Sequence, residues 1–152
     1  MPLREFTSLD ELSEAIGEPI GPGPWLTVEQ PRIDAFADST GDDQWIHVDP
    51  VRASDGPYGT TIAHGYLTLS LLPMLGRDLF TLAVGTARLN YGSNKVRFPA
   101  AVRSGTRIRA TATPANLRRE NSSALLAVDW VVENDGQAKP ALVAETLTMV
   151  LL

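Results

Sequence analysis

From Gly65 to Phe80 the chain is apolar almost all round: Leu67, Leu69, Leu71, Leu72, Met74, Leu75, Leu79 and Phe80 leave no polar stripe. In a globular protein, a helix of that kind has to be covered on every side. The downstream sequence supplies a cover. Ala83 to Phe98 reads as one long strand, with Gly85 and Gly92 as bulge or bend points. Thr106 to Thr113 alternates, placing Ile108, Ala110 and Ala112 on one side and Arg107, Arg109 and Thr111 on the other. Leu125 to Glu133 and Ala141 to Leu151 are two further strands, with Asp135-Gly136 as the turn between them. A buried helix followed by four strands with short connections predicts an α+β fold, one antiparallel sheet wrapped around the helix. Pro73 removes a backbone hydrogen bond inside that helix, so a kink or an early end is expected there. The sheet keeps an open edge, and pairing edge to edge in a two-fold homodimer would cover it.

The N-terminal third is built from short pieces. Ser8-Leu9-Asp10-Glu11 reads as a capping box; Leu9, Leu12 and Ile16 then share a helical face that Gly17 closes. Gly21-Pro22-Gly23-Pro24 is a turn, and Trp25 to Glu29 a brief strand. Pro31 suits the first turn of a second helix with Ile33, Phe36 and Ala37 facing inward. That helix should fray at Ser39-Thr40-Gly41. Asp49 and Pro50 read as N-cap and first residue of another short helix, and residues 52 to 62 as loop.

The 152 residues, 43% of them hydrophobic, are read as one domain, 1–152. Folding at this size buries about 70% of the unfolded surface, enough for a core. No apolar run approaches the roughly 20 residues of a membrane span, and Met1 to Phe6 lacks the apolar region of a signal peptide. The chain has no cysteine, hence neither disulfide nor thiolate chemistry. A cytoplasmic protein with no membrane partner is the simplest expectation. A net charge of −5 argues against non-specific nucleic-acid binding. Arg88, Lys95, Arg97, Arg103, Arg107 and Arg109 nevertheless lie close in sequence. The plain reading is a solvated strand face, and the functional one a patch for a small polyanion.

The residues that point to chemistry are Asp42 and His47, held five apart within Gly41-Asp42-Asp43-Gln44-Trp45-Ile46-His47-Val48-Asp49-Pro50. A carboxylate and an imidazole on one short loop can grip one water, take its proton and pass a proton to carbon. Each has a plainer role, Asp42 as a turn cap and His47 as a structural histidine. Asp49 is assigned to capping and Asp43 to solvent. Downstream, His64-Gly65 opens the apolar helix, where N–H groups lack internal partners. His64 is read as a structural hydrogen-bonding residue that sets the approach to Gly65. Tyr91 and Asn90 are read chiefly as core. His47, Asp49, Asp42 and His64 include metal-donor types, but their spacing matches no familiar zinc signature, so neither metal nor cofactor is expected.

Phe36-Ala37-Asp38-Ser39-Thr40-Gly41-Asp42, then His47-Val48-Asp49-Pro50, then Ala53, then Ile62-Ala63-His64-Gly65, together resemble the MaoC-like dehydratase family, which includes R-specific enoyl-CoA hydratases. The likeness runs from Phe36 to Phe98. It implies a hot-dog fold, an α+β sheet wrapped around a central helix. It implies a trans-2-enoyl thioester of CoA or acyl carrier protein as substrate and an R-3-hydroxyacyl thioester as product. It implies that Asp42 and His47 are the catalytic pair, and that the Gly65 N–H faces the thioester carbonyl. Where the family usually has Asn-Pro this chain has Gln44-Trp45, so Trp45 is expected to narrow or floor an acyl pocket. Lys95 and Arg97 are candidates for the CoA phosphates, and Tyr91 and His64 for substrate contact. A non-catalytic thioester binder, a structural subunit and a thioesterase stand as alternatives.

Overall fold

A computed structural model describes residues 2–152. A five-stranded antiparallel sheet runs in the order β2 (Leu26–Val28), β5 (Thr106–Arg119), β6 (Ser123–Asn134), β7 (Leu142–Leu151), β4 (Ala87–Arg97). Alternation decides which face each strand buries: Ile108, Ala110 and Ala112 on β5, and Val128, Trp130 and Val132 on β6, are buried. A second, two-stranded sheet pairs β1 (Arg4–Phe6) in parallel with β3 (Phe80–Leu82). The α+β class, with an antiparallel sheet packed on a helical segment, is as expected.

Helix α1 (Leu9–Glu14) is capped by the Ser8 hydroxyl, which accepts the N–H of Glu11 at 3.2 Å. Helix α2 (Gln30–Thr40) carries Pro31 in its first turn and buries Ile33 and Ala37. It ends at Gly41, whose φ of 76° is left-handed backbone that glycine adopts without strain. Two short helices follow, α3 (Trp45–Val48) and α4 (Pro50–Ser54). Asp49 caps α4, its Oδ1 accepting the Arg52 N–H at 3.0 Å.

The apolar segment differs from expectation in two ways. It is not one helix but two, α5 (Gly65–Ser70) and α6 (Leu72–Gly76), with Pro73 in the first turn of the second. Nor is it covered all round. Leu67, Thr68, Leu71, Leu72, Leu75 and Gly76 are buried, while Tyr66, Ser70, Pro73 and Arg77 form an exposed stripe, Tyr66 at 69%. One curved sheet in one chain reaches only one face of the segment. Phe80, expected in the helix, opens β3.

The long strand expected over Ala83 to Phe98 forms as the single strand β4, which begins four residues later, at Ala87. Gly85, at φ 79°, separates β3 from β4, and a Cβ there would lie 2.5 Å from the Leu151 carbonyl oxygen. Gly92 does mark a bulge: Asn90 pairs with Thr148 and Gly92 with Leu147, leaving Tyr91 as the extra residue. Tyr91 is 59% exposed, which overturns its reading as core. Strand β4 is an open edge, exposed along most of its length.

Two of the arginines read as a patch are paired. Arg107 meets Asp135 and Arg109 meets Glu133, each at 2.7 Å, and both guanidinium groups lie over the Trp25 ring. The opposite imbalance occurs on β6 and β7, where Asp129 stands directly across from Glu145. Burial, and then the Glu145 charge, hold the Asp129 carboxyl above the usual aspartate range. A carboxyl raised in the fold favours the folded state when protonated, and that contribution is lost as pH rises through its folded pKa. Asp129→Asn should therefore stabilise the protein at neutral pH by about 0.5 kcal/mol or less, given solvent screening. The gain should vanish below about pH 4. Urea midpoints of both proteins across that range check the sign.

Candidate active site

The glycine that ends α2 turns the chain directly into Asp42, which is exposed. One helical turn later α3 presents His47, 9% exposed, with its ring turned inward. His47 Nδ1 lies 2.7 Å from the carbonyl oxygen of Ile62. A carbonyl can only accept, so this nitrogen carries the hydrogen and Nε2 of the neutral ring holds the free lone pair. Ile62 is itself fixed, its N–H donating to the Ile46 carbonyl at 3.1 Å.

His64, 2% exposed, is treated the same way. Its Nε2 lies 2.8 Å from the backbone carbonyl oxygen of Asp42, and its Nδ1 is buried without a partner among the described residues. The two imidazoles stack, centroids 3.8 Å apart and planes 24° from parallel, with Phe36 against His64 at 4.9 Å. A carboxylate oxygen of Asp42 and one nitrogen from each ring all lie within 4.8 Å of one another. Acceptors bridged by the two hydrogens of one water stand about 4.5 Å apart, so the cluster has the span to share a single water.

The same three residues are donors a zinc ion uses, and both rings have an N–H committed to a backbone carbonyl, as metal-bound histidines do. Their relative orientation fits poorly. Ring lone pairs lie in the ring planes, and planes this close to parallel do not meet near the nitrogens. The arrangement suits proton transfer better than a metal clamp.

Gly65 is the first residue of α5, so its N–H has no partner within the helix. A Cβ at Gly65 would stand 2.8 Å from the ring of Phe98, just past β4, so the position has no room for a side chain. One turn further, Leu69 begins the lining of a cavity of about 770 Å³ between α5, α6 and the sheet. Leu72, Leu82, Val128 and Trp130 give it an apolar interior, with Arg77 and Arg88 among its lining.

The remaining candidates are dispersed. Trp45 packs between the Arg52 guanidinium, 4.4 Å from its ring, and Gly56, and does not line the cavity that begins at Leu69. Tyr91 sits at the rim of a smaller concavity with Asn116 and Arg118. Lys95 pairs with Glu145 across β4 and β7, and the exposed Arg97 bonds the Val96 carbonyl. His64 makes a structural hydrogen bond, as expected, and its partner is the Asp42 backbone carbonyl.

Two residues were missed. Gln30 donates through Nε2 to the His47 backbone carbonyl at 2.7 Å and to Asp34 at 2.9 Å, while its Oε1 accepts from Thr61, 1% exposed. This amide ties the start of α2 to α3 and to the strand-like segment before His64. Phe98 is the other. A glutamine beside Pro31 at a helix start gives no sign of such a role.

The profile of the MaoC like domain matches residues 11–133. The 3-hydroxyacyl-thioester dehydratase Z of Mycobacterium tuberculosis is 48% identical over 146 residues, covering 95% of this chain and 97% of the relative. Among solved structures, a monoamine oxidase regulatory protein from Archaeoglobus superposes with a TM-score of 0.78 at 24% identity, covering 99% of this chain and 98% of that one. An (R)-hydratase from A. caviae superposes at 0.65 and 24%, covering 85% and 94%. The fold is the hot-dog fold.

Gly65→Ala should cost about 1–3 kcal/mol, through collision with Phe98. Combined with Phe98→Ala, the penalty of the glycine change should largely disappear. Urea denaturation of the two single variants and the double measures that coupling.

Proposed function

This chain belongs to the MaoC-like dehydratase family, and from that premise we propose that it is a lyase that reversibly adds water to trans-2-enoyl thioesters, giving R-3-hydroxyacyl thioesters. Residues 1–152 act as one domain in this reading; core side chains from Phe6 to Val150 join in one cluster. Asp42 and His47 share one water. His47, neutral with its Nε2 lone pair free, removes the water's proton as oxygen attacks the β-carbon. The α-carbon is protonated by the same pair. The Gly65 N–H receives the thioester oxygen as negative charge gathers there. The acyl chain enters the cavity that begins at Leu69.

The observation that carries this reading is the convergence within 4.8 Å of the Asp42 carboxylate and the imidazoles, beside the free N–H at the start of α5. The relative named for 3-hydroxyacyl-thioester dehydration supports the substrate class at 48% identity. The packing of Trp45 on Arg52 and Gly56 supports a catalytic reading over a non-catalytic binder.

A second copy of the chain is the proposed partner, pairing β4 to β4 about a two-fold axis. The support is an open edge carrying exposed Leu89 and Tyr91, next to exposed Tyr66 and Phe98. Lys95 and Arg97 on the same strand are the proposed contacts for CoA phosphates, Lys95 standing opposite Glu145 on β7. Among the described residues no helix is long and apolar enough to cross a membrane.

Purified protein mixed with crotonyl-CoA should remove the conjugated thioester absorbance without releasing free thiol. Thiol release would point to a thioesterase instead. Asp42→Ala and His47→Ala should each lower kcat/KM by about 10²–10⁴. Normal turnover by both would overturn the assignment. Sedimentation at micromolar concentration should give twice the chain mass of 16.4 kDa.

A further inference from the structure

We propose that His64 is a positioning residue for the reaction, holding Asp42 and His47 in one geometry through its Nε2–H and its ring face. This rests on the reading of Asp42 and His47 as the reacting pair.

His64 occupies the N-cap position of α5, yet its side chain caps nothing. Serine, threonine, aspartate or asparagine there would satisfy a free N–H of the helix. The imidazole instead reaches 22 residues back to the Asp42 carbonyl oxygen, at 2.8 Å. Asp42 is an exposed residue just past a helix end, where a chain is ordinarily free to move. Its own amide makes only a long contact, 3.4 Å, to the Thr40 hydroxyl. The bond from a buried ring is therefore the strongest constraint on where its carboxylate stands. On its face the same ring carries His47 at 3.8 Å, so one side chain sets the position of one reacting group and the plane of the other.

The remaining nitrogen sharpens the argument. His64 Nδ1 is buried and has no partner among the described residues. A histidine kept only for stability would be expected to satisfy both nitrogens, or to give way to an apolar ring. The ring is retained with one nitrogen committed to Asp42 and the other left without a protein donor, as suits a residue at a site that takes in water and substrate.

Three substitutions separate the roles. Phenylalanine keeps the ring face and removes the N–H. Glutamine places an amide nitrogen near the Nε2 position and can still reach Asp42, whereas asparagine falls short, near Nδ1. With crotonyl-CoA, His64→Phe and His64→Asn should lower kcat about 10- to 100-fold with KM changed less than about threefold, and His64→Gln should stay within about fivefold of the parent. Asp42→Ala/His64→Phe should be no slower than Asp42→Ala alone, because the effect passes through Asp42. Equal losses in the Gln and Asn variants, additive losses in the double variant, or wild-type kcat in His64→Phe would overturn the inference. Should the Phe variant not fold, the Gln and Asn pair decides it. If Asp42→Ala and His47→Ala abolish turnover while the His64 variants are normal, the inference alone fails. If those two remain active, the functional reading fails first.

Discussion

The Ile62 carbonyl accepts the N–H of His47 at 2.7 Å, and the chemistry available at this site follows from that bond. It fixes the ring as one tautomer and leaves one nitrogen basic. It also requires the chain on both sides of the acceptor to stay in place. Ile62 bonds Ile46 and makes a bridge with Arg103, and Ala63 bonds Val102, so the segment leading to His64 is held on the sheet side. Gln30 closes the other flank by binding the His47 carbonyl and Thr61 together. An imidazole set this way is oriented before any ligand arrives, which spares the cost of ordering it later.

The β architecture was readable because period-two patterns report one buried face directly. Ile108, Ala110 and Ala112 announce their side, and Asp135-Gly136 its turn. The caps at Ser8 and Asp49 were equally readable, since capping depends on neighbours within three residues. The apolar segment was misjudged because composition does not say how many chains do the covering. Leu67, Leu71 and Leu75 meet the sheet, while Tyr66 and Pro73 face outward from the same two helices. Gly85 was readable as a bend point; the contact with Leu151, 66 residues away, that leaves no room for a side chain there was not.

The site divides in the same manner. Asp42 and His47 stand out because they are close in sequence and chemically suited. Their supports do not. The carbonyls of Ile62 and Asp42 belong to backbone that every residue possesses, and Gln30 and Thr61 look like ordinary polar positions. Gly65 could be picked out, but the reason for the glycine lies in Phe98, 33 residues later. What proximity in sequence does not encode, tertiary contact supplies.

That contact has a consequence for how this chain can vary. Phe98 reaches Gly65 only while the last residues of β4 keep their present alignment against Val143 and Ala144. A single inserted or deleted residue between Gly92 and Phe98 would reverse which way every later side chain points. The ring would leave the glycine at the start of α5. Length changes are better borne among the exposed residues 136–139 of the connection from β6 to β7, which lies at the same end of the sheet but outside its strands.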